Sequence, residues 1–460
     1  MPNRVLIIVQ NLPVPLDRRV WLECCALREA GYTVSVICPK APDDPDFEVI
    51  DGIEVHKYDP PPHDGGFWGY VREFVVCWLA TARRARRIWK TSGFDAMQAC
   101  NPPDTYWLLG RIYRRRGVFF VFDQHDLNPE LFISRFGEVK GLAHRLEYWG
   151  LKWLEKMTYR TSDHVIVTNR SYAAIAQGRG GVDAADLTIV RSGPDTKAMR
   201  PLAPTGNPCP PGKSMIVYLG IMGPQDGVDL FLRAMAVLVH ELGRTDVFAA
   251  LLGFGDSFED LKHLAGALNL NGHVQFLGRA DQVMVADYLS AATVAVGPDP
   301  KSPLNDVSTM NKIMEYMAYA LPIVTFDLRE TRISAGGAAK YVEPGDVEGF
   351  AEAIAHLLDD PDERLHLGLE ARRRVASQLD WQSQAHQYVS VYDRLLSVER
   401  EQPDDTWPVV DRRQRQVPLD DLRDSEGRTL ANLRDSAELG HFVVNRQLHR
   451  DSVDREHPSS

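Results

Sequence analysis

The stretch from Ser308 to Asp327, STMNKIMEYMAYALPIVTFD, carries the densest chemistry in the chain. Ser308 or Thr309 is placed to cap a short helix. Ile313, Met314, Met317 and Ala318 repeat at the spacing of a half-buried helical face, and Lys312 and Glu315 share its polar side. After a Leu-Pro break, the β-branched run from Ile323 reads as a strand. A helix that starts this way offers the backbone N–H groups of Ser308, Thr309 and Asn311 to an anion, with Lys312 in its first turn. One turn further in, Glu315 brings a carboxylate for hydroxyl groups, so phosphate and ribose are the ligands this pattern suits. The plain alternative is that Lys312 and Glu315 only pair with each other on a solvated face.

A second candidate is His125. It follows the apolar run Val118–Phe122 and precedes Asp126 and the helix-opening Asn128-Pro129-Glu130. A titratable ring just past the C-terminal end of a strand lies where open α/β sheets bind ligands; an idle loop histidine is the other reading. The loop Gly220-Ile-Met-Gly-Pro-Gln-Asp-Gly227 also follows a strand run. Gly220, Gly223 and Gly227 would let backbone amides approach phosphates beside Gln225, or would only build a tight turn. Arg279, after the run Val274–Leu277, is a further basic group. Gly253-Phe-Gly-Asp256 is a lone G-x-G, read as a structural turn. No paired carboxylates at metal-ligand spacing stand near these motifs, so neither metal nor cofactor is expected.

These residues need elements to hold them. Val5–Val9, a helix from Asp17 to Gly31 and the strand Tyr32–Cys38 make a right-handed βαβ unit. The loop after the first strand, residues 10–17, contains no glycine, which excludes a G-x-G-x-x-G dinucleotide fingerprint. A long helix over Phe67–Lys90, strands at Phe94–Ala99 and Val118–Phe122, a helix over Leu142–Tyr159 and the strand His164–Thr168 complete a first domain, 1–195. The Pro- and Gly-rich segment 196–212 reads as a linker. A second βαβ series spans 213–380, with strands at Ser214–Gly220, Val247–Leu252, Val274–Leu277, Thr293–Val296 and Ile323–Phe326. Its helices are expected at Asp229–Leu242, Ser257–Ala267, Gln282–Ala291 and Glu348–Leu358. A terminal helix over 381–398 precedes residues 399–460, where sparse aliphatics among many charges predict a mobile tail.

The chain has 460 residues, 44% hydrophobic and 25% charged, which suits a two-domain α/β protein. A net charge of −11 argues against a general nucleic-acid binder. No run approaches the roughly 18 apolar residues of a membrane span. The six cysteines form no Cys-x-x-Cys pair and read as reduced core residues of a cytoplasmic protein. The helix ending in Arg83, Arg84, Arg86, Arg87 and Lys90, with Phe74, Trp78 and Trp89 interleaved, is either a solvated helix end or a peripheral contact with anionic lipid at the inner face of a membrane.

Ser308–Asp327, together with DRRVWLE…LREAGYTVSVICP near the N-terminus, resembles the retaining GT-B glycosyltransferases of the family-4 type. The resemblance covers roughly residues 3–398. It implies two Rossmann-like parallel-sheet domains facing each other across a cleft, the first on the acceptor side and the second on the donor side, with the helix 381–398 packing back on the first. It also implies metal-independent hexosyl transfer, with retention, from a nucleotide sugar to a glycan, lipid-linked or small-molecule acceptor, in surface polysaccharide or glycoconjugate biosynthesis of the bacterial type. Glu315 then fits the second acid of the family's E-x7-E motif, which holds the ribose, and His125 fits a histidine that contacts the donor sugar near the reacting centre. The chain departs from the pattern in three places. Val307 stands where the first acid falls, Gln98-Ala99-Cys100 replaces a His-x-His pair, and Ile221 and Asp226 occupy the positions of an Arg/Lys diphosphate clamp. Lys312 and then Arg279 are the candidate replacements for that clamp. A non-catalytic nucleotide- or glycan-binding homologue and a hexose 2-epimerase on the same fold are the competing readings.

Overall fold

The computed structural model describes residues 3–61, 67–137, 139–203 and 208–399, which form two compact units. One takes in the chain up to Ser192, the segment Val307–Thr309 and the chain from Trp381; the other takes in Gly193–Asp306 and Met310–Asp380. Residues 400–460, read above as a tail, lie outside the described residues, as do 204–207 of the linker.

The first unit is built on β1 (Arg4–Ile8), β2 (Thr33–Pro39), β3 (Phe47–Ile50), β4 (Ile53–Tyr58), β5 (Ala96–Cys100), β6 (Phe119–Gln124), β7 (His164–Val167) and β8 (Leu187–Ile189). They lie in the order β3-β4-β2-β1-β5-β6-β7-β8, and every pairing is parallel except the β3–β4 hairpin. Its helices are α1 (Arg18–Glu29), α2 (Phe67–Thr91), α3 (Trp107–Arg114), α4 (Asn128–Phe136), α5 (Leu142–Thr161) and α6 (Arg170–Ile175). Alternation along β1 divides the core: Val5 and Ile7 pack with α1, whereas Leu6 and Ile8 pack with α2 and α3.

The second unit is a parallel sheet of β9 (Ser214–Leu219), β10 (Val247–Leu252), β11 (Val274–Gly278), β12 (Val294–Gly297), β13 (Ile323–Phe326) and β14 (Ala339–Val342), ordered β11-β10-β9-β12-β13-β14. Its helices are α7 (Val228–Ala236), α8 (Phe258–Ala267), α9 (Gln282–Ala291), α10 (Asn311–Ala318), α11 (Arg329–Ala335), α12 (Val347–Asp359) and α13 (Pro361–Arg374). Ile216 and Tyr218 of β9 pack with α7 and α12; Met215 and Val217 pack with α9, α10 and α13. The last helix, α14 (Trp381–Leu395), groups with the first unit and packs on α1, where Tyr32 Oη donates to Asp393 Oδ1 at 2.6 Å. Two α/β units with parallel sheets are what the strand-helix alternation predicted.

Two expectations about the helix after Thr309 are corrected. The helix expected to open at Ser308 or Thr309 begins at Asn311 behind Met310, and no side chain among the described residues caps it. Ser308 and Thr309 are used elsewhere: Ser308 Oγ lies 2.9 Å from Tyr172 Oη, and Thr309 Oγ1 accepts from Asn169 Nδ2 at 3.0 Å. The same helix is not half-buried, because Lys312 to Ala318 are all enclosed between the sheet and α13. In α2, Trp78 and Trp89 pack half-buried against the core, whereas Arg83, Arg86, Arg87 and Lys90 are exposed. Trp89 turns inward against Phe94 and Tyr113, and Arg84 Nε donates to the Lys57 carbonyl. No described helix is long and apolar enough to cross a membrane.

Candidate functional site

The candidate residues gather at strand ends, one cluster in each unit. In the first, α1 is capped by Asp17, whose side chain accepts from Val20 N, and this fixes Arg19 in its opening turn. The Arg19 guanidinium is buried. It donates to Asp123 Oδ1 at 2.9 Å, to the Val190 carbonyl at 2.9 Å and to Ser192 Oγ at 2.9 Å. Asp123, near the end of β6, also approaches His125 Nε2 at 2.6 Å, and Arg19 Nε lies 3.1 Å from the same nitrogen. The backbone is pinned as well: Asn101 Oδ1 accepts the N–H groups of His125 (2.7 Å) and Asp126 (3.1 Å). Among the described residues Nδ1 of His125 has no hydrogen-bond partner, so that nitrogen is the one left for a ligand.

Behind the histidine, Gln98 Nε2 donates to Glu23 Oε2 (2.8 Å) and Asp123 Oδ2 (3.2 Å), while its oxygen accepts from Tyr388 and Tyr392 of α14. Gln98, at the position of the first histidine in the resembling family, is therefore a fully buried internal tie. The charges set one another. Burial alone would raise the Asp123 carboxyl, but the Arg19 and His125 charges hold it well below the usual range. Burial alone would lower the His125 imidazole, and the Asp123 carboxylate overrides this and raises it. Glu23 goes the other way. Burial first, then repulsion from Asp123, push it up to about 8 against the pull of Arg19. Its Oε1 sits 3.0 Å from Arg19 Nε without hydrogen-bond alignment, as suits a neutral acid.

A carboxyl that binds its proton more tightly when folded withdraws stability as pH rises from the ordinary carboxylate range toward its folded value. Glu23→Gln, neutral throughout, should therefore gain on the wild type by on the order of 2–4 kcal/mol between pH 5 and pH 8. Urea unfolding at several pH values checks this; parallel pH profiles for the two proteins would assign the loss to another group.

In the second unit Lys312 does not pair with Glu315 on a solvated face. Its ammonium is buried, 2.6 Å from Asp299 Oδ1, 3.9 Å from Asp226 Oδ1 and 3.4 Å from Tyr218 Oη. Burial would lower its pKa, and Asp299 leads the groups that hold it well above the usual value. One cation faces two carboxylates, so its charge is already met inside the protein. Glu315, one turn on, is 6% exposed. Asn311, at the helix start, is exposed. Arg279 is exposed too, its guanidinium 4.3 Å above the Phe254 ring.

The glycine loop is also spoken for. Gly220 N donates to the Leu252 carbonyl at 3.0 Å and Gly223 N to Asp226 Oδ2 at 2.9 Å, so neither amide is open to phosphate. A Cβ on Gly253 would stand 1.7 Å from the Gly220 carbonyl oxygen, and one on Gly255 2.5 Å from that of Met222. The G-x-G turn thus lets two strand-end loops cross. Gln225 holds the loop to Asn305 through its carbonyl, and its side-chain Oε1 is buried without a partner among the described residues.

Sequence reasoning missed Arg19, Glu23, Asp123 and Asp299. The available signal was an acid at the end of an uninterrupted apolar strand, as in Asp123 after Phe119–Phe122 and Asp299 after Val294–Gly297. Glu23, Cys100, Asp123 and His125 bring metal-ligand atoms within 4.8 Å of one another. The Arg19 guanidinium is paired to one of them, Asp123, and stands 3.0 Å from Glu23, so it supplies a cation there.

Comparison with known proteins agrees with this architecture. A family model for glycosyl transferases group 1 matches residues 213–360, and a model for a glycosyl transferase 4-like domain matches residues 16–193. Phosphatidyl-myo-inositol mannosyltransferase of Mycolicibacterium smegmatis is 26% identical over 374 residues, covering 80% of this chain and 87% of that protein. D-inositol 3-phosphate glycosyltransferase 2 of Catenulispora acidiphila is 26% identical, covering 66% and 75%. Sucrose-phosphate synthase from Thermosynechococcus elongatus superposes with a TM-score of 0.70 at 21% identity, covering 86% of this chain and 100% of that one. Anabaena HepE in complex with UDP-glucose gives 0.61 at 14% identity, covering 85% and 99%. With a glycosyltransferase model on each unit, the two spanning most of the chain, and the doubled parallel-sheet architecture of these neighbours, this chain belongs to the GT-B-fold glycosyltransferases of the group 1 and 4-like type.

Proposed function

We propose that the protein transfers a sugar from a nucleotide-sugar donor to a glycan, lipid-linked or small-molecule acceptor, with retention and without a metal, in the cytoplasmic assembly of a surface polysaccharide or glycoconjugate. The observation that carries this reading is His125, fixed at the end of β6 by Asp123, Arg19 and the Asn101 side chain, with its second ring nitrogen unengaged among the described residues. A ring so held can meet a sugar hydroxyl in one orientation, and the neighbouring carboxylate favours its protonated form as charge shifts during transfer. Glu315 takes the ribose, and the uncapped first turn of α10 offers amides to the diphosphate. Arg19 supplies positive charge where ligand-type atoms gather, which supports a mechanism without a metal ion. HepE with UDP-glucose and the inositol and phosphatidylinositol glycosyltransferases support a nucleotide-sugar donor and a polar or lipid-borne acceptor.

A thermal-shift panel of nucleotide sugars tests the donor, because a ligand bound only to the folded state raises its melting temperature. One nucleotide sugar should stabilise the protein more than its parent nucleoside does. Glu315→Ala should weaken that ligand by about 1.5–3 kcal/mol, the cost of losing charged hydrogen bonds to a buried ribose. Turnover should survive excess EDTA. No stabilisation by any nucleotide sugar would remove the reading, and loss of activity in EDTA with rescue by Mg²⁺ or Mn²⁺ would remove its metal-free part.

The commitment of Lys312 to Asp299 and Asp226, with Ile221 where a basic residue is common, favours one alternative, a non-catalytic binding homologue. Tight nucleotide-sugar binding with no transfer to any acceptor over hours would establish it.

A further inference from the structure

On the side of the first sheet away from α1, α2, α3 and α5 lie next to one another. Thr81 of α2 meets Tyr106 at the start of α3, and Trp107 of α3 stacks edge-on against Trp153 of α5 at 5.7 Å. Their outer surface is unusual. On α5, Leu142, Leu146, Trp149 and Trp153 follow one another at helical spacing and are 76%, 62%, 66% and 43% exposed. Phe74, Val75, Val76 and Leu79 on α2 and Leu108 and Ile112 on α3 are exposed as well. A monomeric soluble surface seldom gathers so much apolar area on adjoining elements. The remaining exposed side chains of α5 include Arg145, Lys152, Lys156 and Arg160; the outer faces of α2 and α3 add Arg83, Arg87 and Arg111. Glu73 and Glu147 are half-buried and Glu155 is buried against Arg179, so no exposed side chain on the described part of these helices is acidic. This occurs in a chain of net charge −11.

We propose that this three-helix face docks the protein on an anionic lipid bilayer, with the Leu/Trp stripe of α5 entering the headgroup boundary and the basic rows on either side meeting lipid phosphates. The combination decides the occupant. Two copies pairing through this face would set basic rows against basic rows, which like-charge repulsion opposes. A nucleic acid would use the arginines and lysines and leave the aliphatic stripe without a partner. The surface differs from the Arg83–Lys90 cluster singled out in the sequence: its apolar part is centred on α5, a helix with no unbroken hydrophobic run. The proposal deepens the lipid-linked-acceptor reading above, yet its test needs no donor, acceptor or turnover, so the two can fail separately.

The experiment is co-sedimentation of the full chain with vesicles of phosphatidylcholine alone and of phosphatidylcholine mixed with phosphatidylglycerol. Wild type should bind the mixed vesicles at least about tenfold more tightly, and salt should weaken the difference. Leu146→Ser with Trp149→Ser should lower partition by about tenfold or more with an unchanged circular dichroism spectrum and melting temperature. Should that pair fail to fold, Lys152→Glu with Lys156→Glu supplies the test, and is expected to abolish the preference for anionic vesicles. Absence of wild-type binding to either vesicle, or binding that both variants retain, would overturn the proposal. So would a dimer that the Ser variants dissociate, or RNA binding that the Glu variants abolish without vesicle binding.

Discussion

Lys312→Met is expected to destabilise the second unit by about 3–5 kcal/mol, the cost of leaving a buried charge without its partner. Its place in the first turn of a helix makes Lys312 a candidate diphosphate counter-charge, and on that reading Met deletes only the charge. Its surroundings give a different expectation. Asp299 Oδ1 lies 2.6 Å from the ammonium, its other oxygen is buried with no partner among the described residues, and Asp226 stands 3.9 Å away. Remove the lysine, and the buried Asp299 carboxylate loses its ion-pair partner beside the half-buried Asp226. Thermal and urea unfolding should show the loss, and Lys312→Met/Asp299→Asn should recover most of it, since neither charge then remains. A single mutant as stable as wild type would sink the structural role. The double mutant also separates structure from chemistry. Turnover lowered by on the order of a hundredfold in that folded protein, equivalent to about 3 kcal/mol, would return Lys312 to the leaving diphosphate. Near-normal turnover would pass the question to Arg279, whose exposed guanidinium can be tested by Arg279→Met.

Asp123→Asn should have an effect of the same size in the first unit, and a pH signature that a packing defect would not produce. The carboxylate is buried and serves two cations, Arg19 at 2.9 Å and His125 at 2.6 Å. Losing it should cost about 3–5 kcal/mol of stability. Without it, burial governs His125, and its raised pKa should fall below the ordinary imidazole value. The imidazolium's contribution to stability, present at low pH and lost as pH rises through the folded pKa, should disappear with it. If the protonated ring assists transfer, the alkaline limb of the kcat profile should move to lower pH in the variant. His125→Ala should reduce kcat by on the order of a hundredfold while changing donor affinity much less, because a group near the reacting centre acts mainly in the transition state. Equal losses in kcat and affinity would make His125 a binding residue only, and an unshifted pH profile in Asp123→Asn would detach the carboxylate from the chemistry.

Elements whose neighbours in sequence supplied their stability were readable. The strand at Val247–Leu252 is a six-residue run buried on both faces, and the helix over Gln282–Ala291 carries its own Asp281 cap, which accepts from Met284 N at 2.8 Å. Elements stabilised chiefly by distant partners were not. The β3–β4 hairpin lies at the sheet edge, and β3 buries no residue fully, so its pattern is weak. Helix α13 is rich in charge because Arg364 and Arg372 point inward. Arg372 donates to the carbonyls of Ala318, Met199 and Thr196, and no local pattern tells a buried arginine from a solvated one.

The same division runs through the candidate site. Glu315 in a short helix before a strand, His125 after a strand, and two runs of alternating strand and helix all follow from local spacing, because periodicity and chain breaks are properties of neighbouring residues. By itself, then, the sequence determined the doubled α/β architecture and which candidate residues follow its strands. What each charged group does was decided by the tertiary structure. Asp299 reaches Lys312 because β12 lies beside β9 and β13, and Arg19 reaches Asp123, 104 residues away, because β1 and β5 bring α1 over the end of β6. Partners so far apart are chosen by sheet order. Their burial magnifies every charge among them, and it is this that turns a candidate phosphate clamp into an internal ion pair and a loop histidine into an oriented, charge-coupled ring.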